Sequence, residues 1–408
     1  MGYARARRLS RDRAEEEVFA PMERRGHIDL QFLLLVLLLL TAGVFMVLSA
    51  SSASAYYELG KPAHYFTRQF AFAAAGAAAM VLVSRVRVET MRRGSMWLLA
   101  LSVALLALVL FAKPINGARR WFDLGFTTAQ PSEIAKLGII MSFSVMMCKY
   151  GESLRKLKKS SWKSFVSAAA PFAGALGVTV ALLLREPHNS AAVIIVAIAA
   201  VVMFAGGLDM KLCVAAVAAA VIAAGFLISR AESSYAEIAA TGGGDYAFRR
   251  IVFWLHPEAD PSGGGYQTLQ SLYAIGSGGL TGLGLGQSRQ KYLYLPEEHN
   301  DYIFAIFCEE FGFIGAALIL ALFALLIIRG FWIAMHARRK FDALVASGIT
   351  GMLAIQVFLN ISVVTNLLPC TGISLPFFSY GGSALVVQLA EMGIILSISR
   401  DMPITRAG

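Results

Sequence analysis

Acidic residues gather in this 408-residue chain where few should be. Glu297, Glu298, Asp301, Glu309 and Glu310 stand in LPEEHNDYIFAIFCEEFGFIG, residues 295–315, directly ahead of the apolar run AALILALFALLII. An Asp at the centre of a membrane span costs about 2.5–3.5 kcal/mol to insert. One kept at the membrane edge is a candidate general base, able to take a proton from a hydroxyl. Two readings of Asp301 compete: an acidic helix cap, favoured by the positive end of the helix dipole, and a base in a cavity at the membrane edge. On a continuous helix Glu309 lies about 80° round from Asp301 and about 12 Å deeper. It is therefore expected to line the same cavity, whereas Glu310 points the opposite way, toward another helix.

A second group is QPSEIAK, residues 130–136. Pro131 suits a first helical turn, and Glu133 and Lys136 are then (i, i+3) neighbours able to pair. Either they neutralise one another so that the helix inserts, or Lys136 faces Asp301 or Glu309 and positions a phosphate. Arg119 and Arg120, beside Trp121, suit capture of an anionic headgroup or pyrophosphate, with an interfacial anchor as the alternative. In LPCTGISLPFFSYGGSAL, residues 368–385, two prolines and three glycines break the chain where a span should run. Such backbone is tolerated at membrane depth when buried in protein or lining a cavity. Ser379, Tyr380 and Ser383 could donate to a polar ligand there, or serve backbone packing. His188, in a tight turn with Glu186 and Pro187, reads as a turn residue. The run GGLTGLGLGQS, residues 278–288, lacks the preceding strand and following GK[ST] of a phosphate cradle, which favours a close-packed turn. Cys148, Cys213, Cys308 and Cys370 are too scattered for a disulfide framework or a metal set.

The elements that must position these residues are helices. The chain is 57% hydrophobic and 15% charged, with mean hydropathy +0.64, against about a quarter charged in soluble domains. Apolar runs long enough to cross a bilayer fall at residues 30–49, 67–83, 95–112, 132–148, 165–184, 190–206, 211–229, 302–328, 343–366 and 376–398. This predicts an all-α integral membrane protein of about ten transmembrane helices. Two thirds of the 36 Lys and Arg fall on the segments that are inner if the N-terminus is cytoplasmic, so the positive-inside rule puts both termini in the cytoplasm. The basic balance reads as orientation, not as a nucleic-acid patch. One large extracytoplasmic loop, about 230–300, joins the seventh and eighth helices. Within it AFRRIVFWL suits an interfacial helix, with Phe253 and Trp254 at headgroup level and Arg249 and Arg250 toward phosphates. Residues 1–29 form a basic cytoplasmic segment without the features of a cleavable signal peptide, 30–400 a single membrane domain, and 401–408 a short tail.

These residues alone fit a lipid-modifying enzyme and a transporter equally. The choice comes from four longer stretches: NGARRWFDLG…QPSEIAKL, RRIVFWLHPEADPSGGGYQTLQSLYAIGSGGLTGLGLGQS, LPEEHNDYIFAIFCEEFGFIG and VVTNLLPCTGISLPFFSYGGSALV. In this order they resemble the SEDS family (shape, elongation, division and sporulation) of bacterial peptidoglycan polymerases, over about Ile28 to Arg400. MVLSAS, FTRQF and VVTNLLP followed by SLPFFSYGG resemble the division and sporulation branch more than the elongation branch. The resemblance implies a glycosyltransferase that polymerises lipid II at the outer face of the cytoplasmic membrane, by inverting transfer with undecaprenyl pyrophosphate leaving. The family's essential Asp falls on Asp301 as the base. Arg119, Arg120 and Lys136 would then offset charge on the pyrophosphate, with Glu133, Glu309, Ser379 and Tyr380 beside them. A divalent cation, Mg or Mn, is a further expectation without an assigned site. Implied partners are a class B penicillin-binding protein, whose transpeptidase would cross-link the product, and other division-complex membrane proteins at the septum. Asn300, Ala384 and the turn EPHNS, which stands for the frequent PDxG, depart from the family pattern. The rival is a lipid II flippase, though no inverted repeat of the transporter kind is visible.

Overall fold

A computed structural model describes residues 26–115, 118–125, 127–155, 162–235 and 246–402. All ten predicted spans fall on helices: α1 (Leu30–Leu59), α2 (His64–Arg85), α3 (Val88–Val109), α4 (Pro131–Arg155), α5 (Trp162–Arg185), α6 (Asn189–Ala205), α7 (Met210–Ser233), α10 (Ile303–Met335), α11 (Lys340–Val364) and α12 (Gly382–Ser399). Among the described residues eight are long and apolar enough to cross a membrane, and α6 is a shorter apolar helix of 17 residues. Between α7 and α10 lie α8 (Tyr246–Leu255), a short 3-10 turn and α9 (Tyr266–Gly278). Residues 1–25, 236–245 and 403–408 lie outside the described residues, and with them most of the predicted basic segment and tail.

Exposed apolar side chains such as Phe45, Trp97, Phe313 and Ile328 ring the bundle, as expected where lipid tails replace water. The most enclosed helices are α4, α11 and α12. Close approach depends on small residues: α12 packs on α2 with Gly393 against the Met80 carbonyl and Gly76 against Leu389, the interface chemistry favoured between helices in lipid. The N-terminal end of α1 is stapled to the C-terminal end of α12. Asp29 caps α1 by accepting from Phe32 N at 2.8 Å, its own N–H donates to Ser399 Oγ, and its carboxylate receives Arg329. One residue cluster further, Gly26 N–H donates to the Arg400 carbonyl at 2.8 Å.

Three local features differ from expectation. First, a small antiparallel hairpin, β1 (Phe122–Asp123) and β2 (Thr128–Ala129), interrupts the all-α pattern. Asp123 accepts from Gly125 N–H at 2.8 Å within its loop, the kind of side-chain turn that Asp favours. Second, α12 begins at Gly382, six residues later than predicted, because Pro376 and the left-handed Phe377 (φ 66) and Asn366 (φ 59) hold 366–381 as irregular chain. Third, α10 is broken at Gly312 (φ 64, ψ −166). The Gly-rich loop fills the break: Leu283 and Gly284 N–H donate to the Glu309 and Glu310 carbonyls, and Phe313 and Ile314 N–H donate to those of Gly279 and Leu280. Backbone freed at the break is thus satisfied inside the protein, as apolar surroundings require. The glycine run is the close-packed turn that its sequence favours. In α8, Phe253 is buried, and the Trp254 indole donates to the Asn366 carbonyl at 3.0 Å. Both side chains of the expected interfacial helix are thus engaged with protein.

Candidate active site

Asp301 lies in the turn before α10, and the irregular 366–381 segment holds that turn. Asn360 of α11, 1% exposed, donates from Nδ2 to the carbonyls of Asp301 (2.8 Å) and Ile373 (2.7 Å). Ser379 Oγ donates to the Asn300 carbonyl at 2.8 Å, and Tyr380 N–H donates to that of His299 at 2.9 Å. Gln69 of α2 secures the far side, donating to the Ser379 carbonyl and accepting from Gly381 N–H. The Asp301 side chain itself is partly buried, and a Cβ placed on Gly372 (φ +68) would stand 3.2 Å from its Oδ2. Burial, reinforced by Glu297, pushes its carboxyl up to about 6, with Arg250 and His299 opposing. Left-handed Glu297 (φ 57) and Phe377 (φ 66) flank the site, the kind of backbone strain that concentrates at functional sites.

Gly372 and Tyr380 also line a polar pocket of about 80 Å³ between α4, α6, α11 and α12. Glu133, Lys136, His188, Gln388 and Glu391 line it. Lys136, its side chain 4% exposed, pairs with Glu133 at 2.6 Å. The pair with Glu133 is thus formed, and it stands on the wall of the pocket. At the C-terminal end of α5, Arg120 donates to the carbonyls of Glu186 and Pro187, where cations complement a helix C-terminus. Arg119 is exposed and donates to the Leu110 carbonyl at the end of α3. Arg120 thus adjoins the pocket through the 186–188 turn, and Arg119 serves a different helix end.

The expectation for Glu309 needs correction, and the alternatives left open for Ser379 and Ser383 fall to packing. Glu309, 1% exposed, does not line the pocket: it accepts from Ser277 Oγ, Ser288 Oγ and the Arg289 and Gln290 N–H groups. The 80° estimate places its direction on the helix but says nothing of the glycine-rich loop that folds over it. Glu310 does meet another helix at Ser49, and also pairs with buried Lys291 at 2.9 Å. Ser379 uses its hydroxyl proton on Asn300, and Ser383 donates to the Thr128 carbonyl. Both act in backbone packing, while Tyr380 places its ring against Tyr65 and His299.

Sequence reasoning missed Glu391, Gln388 and the chemistry of the 186–188 turn. The signal for the first two is an acid and an amide three residues apart in an otherwise apolar span, LVVQLAEMGIIL. At the turn, both Glu186 carboxylate oxygens and His188 Nδ1 are buried without hydrogen bonds. Burial pushes Glu186 up to about 8 against the pull of Arg120; burial, Arg120 and Lys136 lower His188 to about 3. Among the described residues no set of three or more His, Cys, Asp or Glu could hold a metal ion.

Long apolar helices around a buried polar pocket, with a raised carboxyl at Asp301, define an integral membrane protein with a polar site. The chain belongs to the cell cycle protein family of FtsW, RodA and SpoVE, which it matches over residues 30–403. Among its relatives, stage V sporulation protein E of Bacillus subtilis is 40% identical over 91% of this chain and 97% of its own. The probable peptidoglycan glycosyltransferase FtsW of Trichlorobacter lovleyi is 35% identical over 95% of this chain and 97% of its own. Among solved structures, one titled as a peptidoglycan synthase complex coordinating polymerization and crosslinking matches with TM-score 0.72 and 28% identity, over 92% and 99% of the two chains. Thermus thermophilus RodA matches with TM-score 0.62 and 28% identity, over 92% and 97%.

Proposed function

We propose that this chain is a peptidoglycan glycosyltransferase that polymerises lipid II, with Asp301 as its general base. The observation that carries the proposal is the Asp301 carboxylate, raised to about 6 and set against Gly372, which lines the pocket that holds Lys136. A base poised near the working pH is ionised yet still basic enough to accept a proton in the transition state. The C4 hydroxyl of one GlcNAc attacks C1 of a lipid-linked MurNAc. The new bond is O4–C1, the bond broken is C1–O to phosphate, the proton passes to Asp301, and the electron pair leaves on undecaprenyl pyrophosphate with inversion. Lys136 and Arg120 favour the pyrophosphate as charge develops on it. A site at the membrane edge lets both substrates keep their tails in the bilayer.

The positive-inside distribution supports an outer location for the site, with both termini cytoplasmic. Cross-linking falls to a partner: the SxxK at Ser288–Lys291 in the large loop is buried, with Ser288 Oγ donating to Glu309 and Lys291 paired with Glu310. The peptidoglycan synthase complex in the structural match supports a class B penicillin-binding protein in that role, and the relatives named for division and sporulation support a septal or spore wall. The test is a gel of glycan chains made from purified lipid II by the detergent-solubilised protein with its penicillin-binding protein. Wild type is expected to give long chains and a folded Asp301→Asn variant none. Equal chains from both would return Asp301 to a helix cap. No chains from either, with lipid II crossing vesicle bilayers, would favour the flippase.

A further inference from the structure

Lys136 is only partly accounted for by Glu133. Its ammonium has three N–H donors, is almost entirely buried, and meets one carboxylate oxygen at 2.6 Å. On the other side of the pocket Glu391 projects from α12, about two and a half turns in from Gly382. It is 2% exposed, and no described residue hydrogen-bonds or ion-pairs with its carboxylate. An isolated carboxylate inside a span is among the most costly groups a membrane protein can hold, and such groups face a partner or a functional cavity. The charges within electrostatic reach of Glu391 are Lys136 and Glu133, and all three line the same pocket. Its volume of about 80 Å³ has room for several waters, which bridge polar groups across gaps too wide for direct contact.

The opposite wall carries the complementary fact. His188 lines the pocket and lies within electrostatic reach of Lys136, at the position where the frequent PDxG turn has its aspartate. An aspartate there would supply a carboxylate to Lys136 from the turn. In this chain the turn offers a neutral imidazole, and the acid stands on α12.

We propose that Glu391 is the second counter-charge of Lys136, acting across the pocket through water and filling the place left by an aspartate at 188. Bound by carboxylates on two sides, the ammonium is fixed in direction, and its remaining donor is aimed into the pocket. Glu391 is thus a positioning residue that acts through Lys136. Its part in catalysis rests on the polymerase reading; its charge pairing does not.

Two measurements on the full chain test this. In detergent, Glu391→Gln is expected to lower the melting temperature of the otherwise wild-type protein but to be neutral or stabilising in a Lys136→Met background. Equal losses in both backgrounds would overturn the pairing. With lipid II and the penicillin-binding protein, Glu391→Gln is expected to lower kcat by about 10²-fold, the scale of a small misplacement, with KM little changed. The double variant Glu391→Gln/His188→Asp is expected to recover most of that loss. Wild-type turnover in Glu391→Gln, or a double variant as inactive as the single one, would overturn the positioning role. If the wild type makes no glycan, the polymerase reading fails while the thermal comparison still decides the pairing.

Discussion

Asp301 is where burial and chemistry oppose each other. A carboxyl raised from about 4 in the unfolded chain to about 6 in the folded one binds its proton more tightly when folded. That preference stabilises the fold below about pH 4 and is lost as pH rises through about 6. Replacing Asp301 by Ala is therefore expected to raise the melting temperature at pH 7.5, with the gain fading by pH 4. A helix-cap role gives the opposite sign, because losing a cap costs stability. For the same reason wild-type polymerisation should climb across pH 5–7 and level off above, a limb read directly from initial rates. Gly372 is the companion position, since it needs both a left-handed backbone and the absence of a Cβ. Gly372→Ala is expected to displace the Asp301 carboxylate and lower kcat by about 10²-fold, checked in the same glycan assay. The nature of Asp301 was legible from an acid at the mouth of an apolar run. Glu391 was equally visible as a letter, but its meaning depends on Lys136 lying across a pocket, which no local pattern encodes.

At the scale of elements, hydropathy alone located every long helix, because lipid imposes that pattern on each span separately. The break in α10 was not legible: Gly312 resembles any other glycine until the loop at 279–284 is known to run beside it. That loop is held by Glu309 through hydrogen bonds and by Glu310 through Lys291, whose side chain is 2% exposed. Removing one member of a buried ion pair strands the other and costs about 3–5 kcal/mol. Lys291→Met or Glu310→Gln alone should therefore lower thermal stability sharply, whereas the double replacement should recover much of it, as measured by melting in detergent. Independent, additive losses would mean that the two side chains are not a unit. The hairpin at 122–129 escaped notice because two residues per strand fall below any periodicity.

For the whole molecule, the positive-inside rule predicts the orientation from where the cations fall, and on that prediction the proposed site, at the N-terminal ends of α4, α10 and α12, faces outward. A cysteine introduced at exposed Leu124 in a cysteine-free background should react with a membrane-impermeant maleimide in intact cells, and one at Arg338 should not; the reverse pattern would invert the bundle and deny the site its outer position. Legibility at this scale was uneven. The resemblance of four ordered motifs gave family and activity class together, but not which side chains converge, because α4, α6, α11 and α12 meet only in the folded state.

The clasp among Gly26, Asp29, Arg329, Ser399 and Arg400 has a further consequence. It brings the entry of the first helix and the exit of the last to one spot, so the path of the chain is nearly closed. A short peptide joining residue 26 to residue 402 would leave that edge of the bundle undisturbed. New ends opened in a loop at the opposite edge would then give a circularly permuted bundle with the same neighbours.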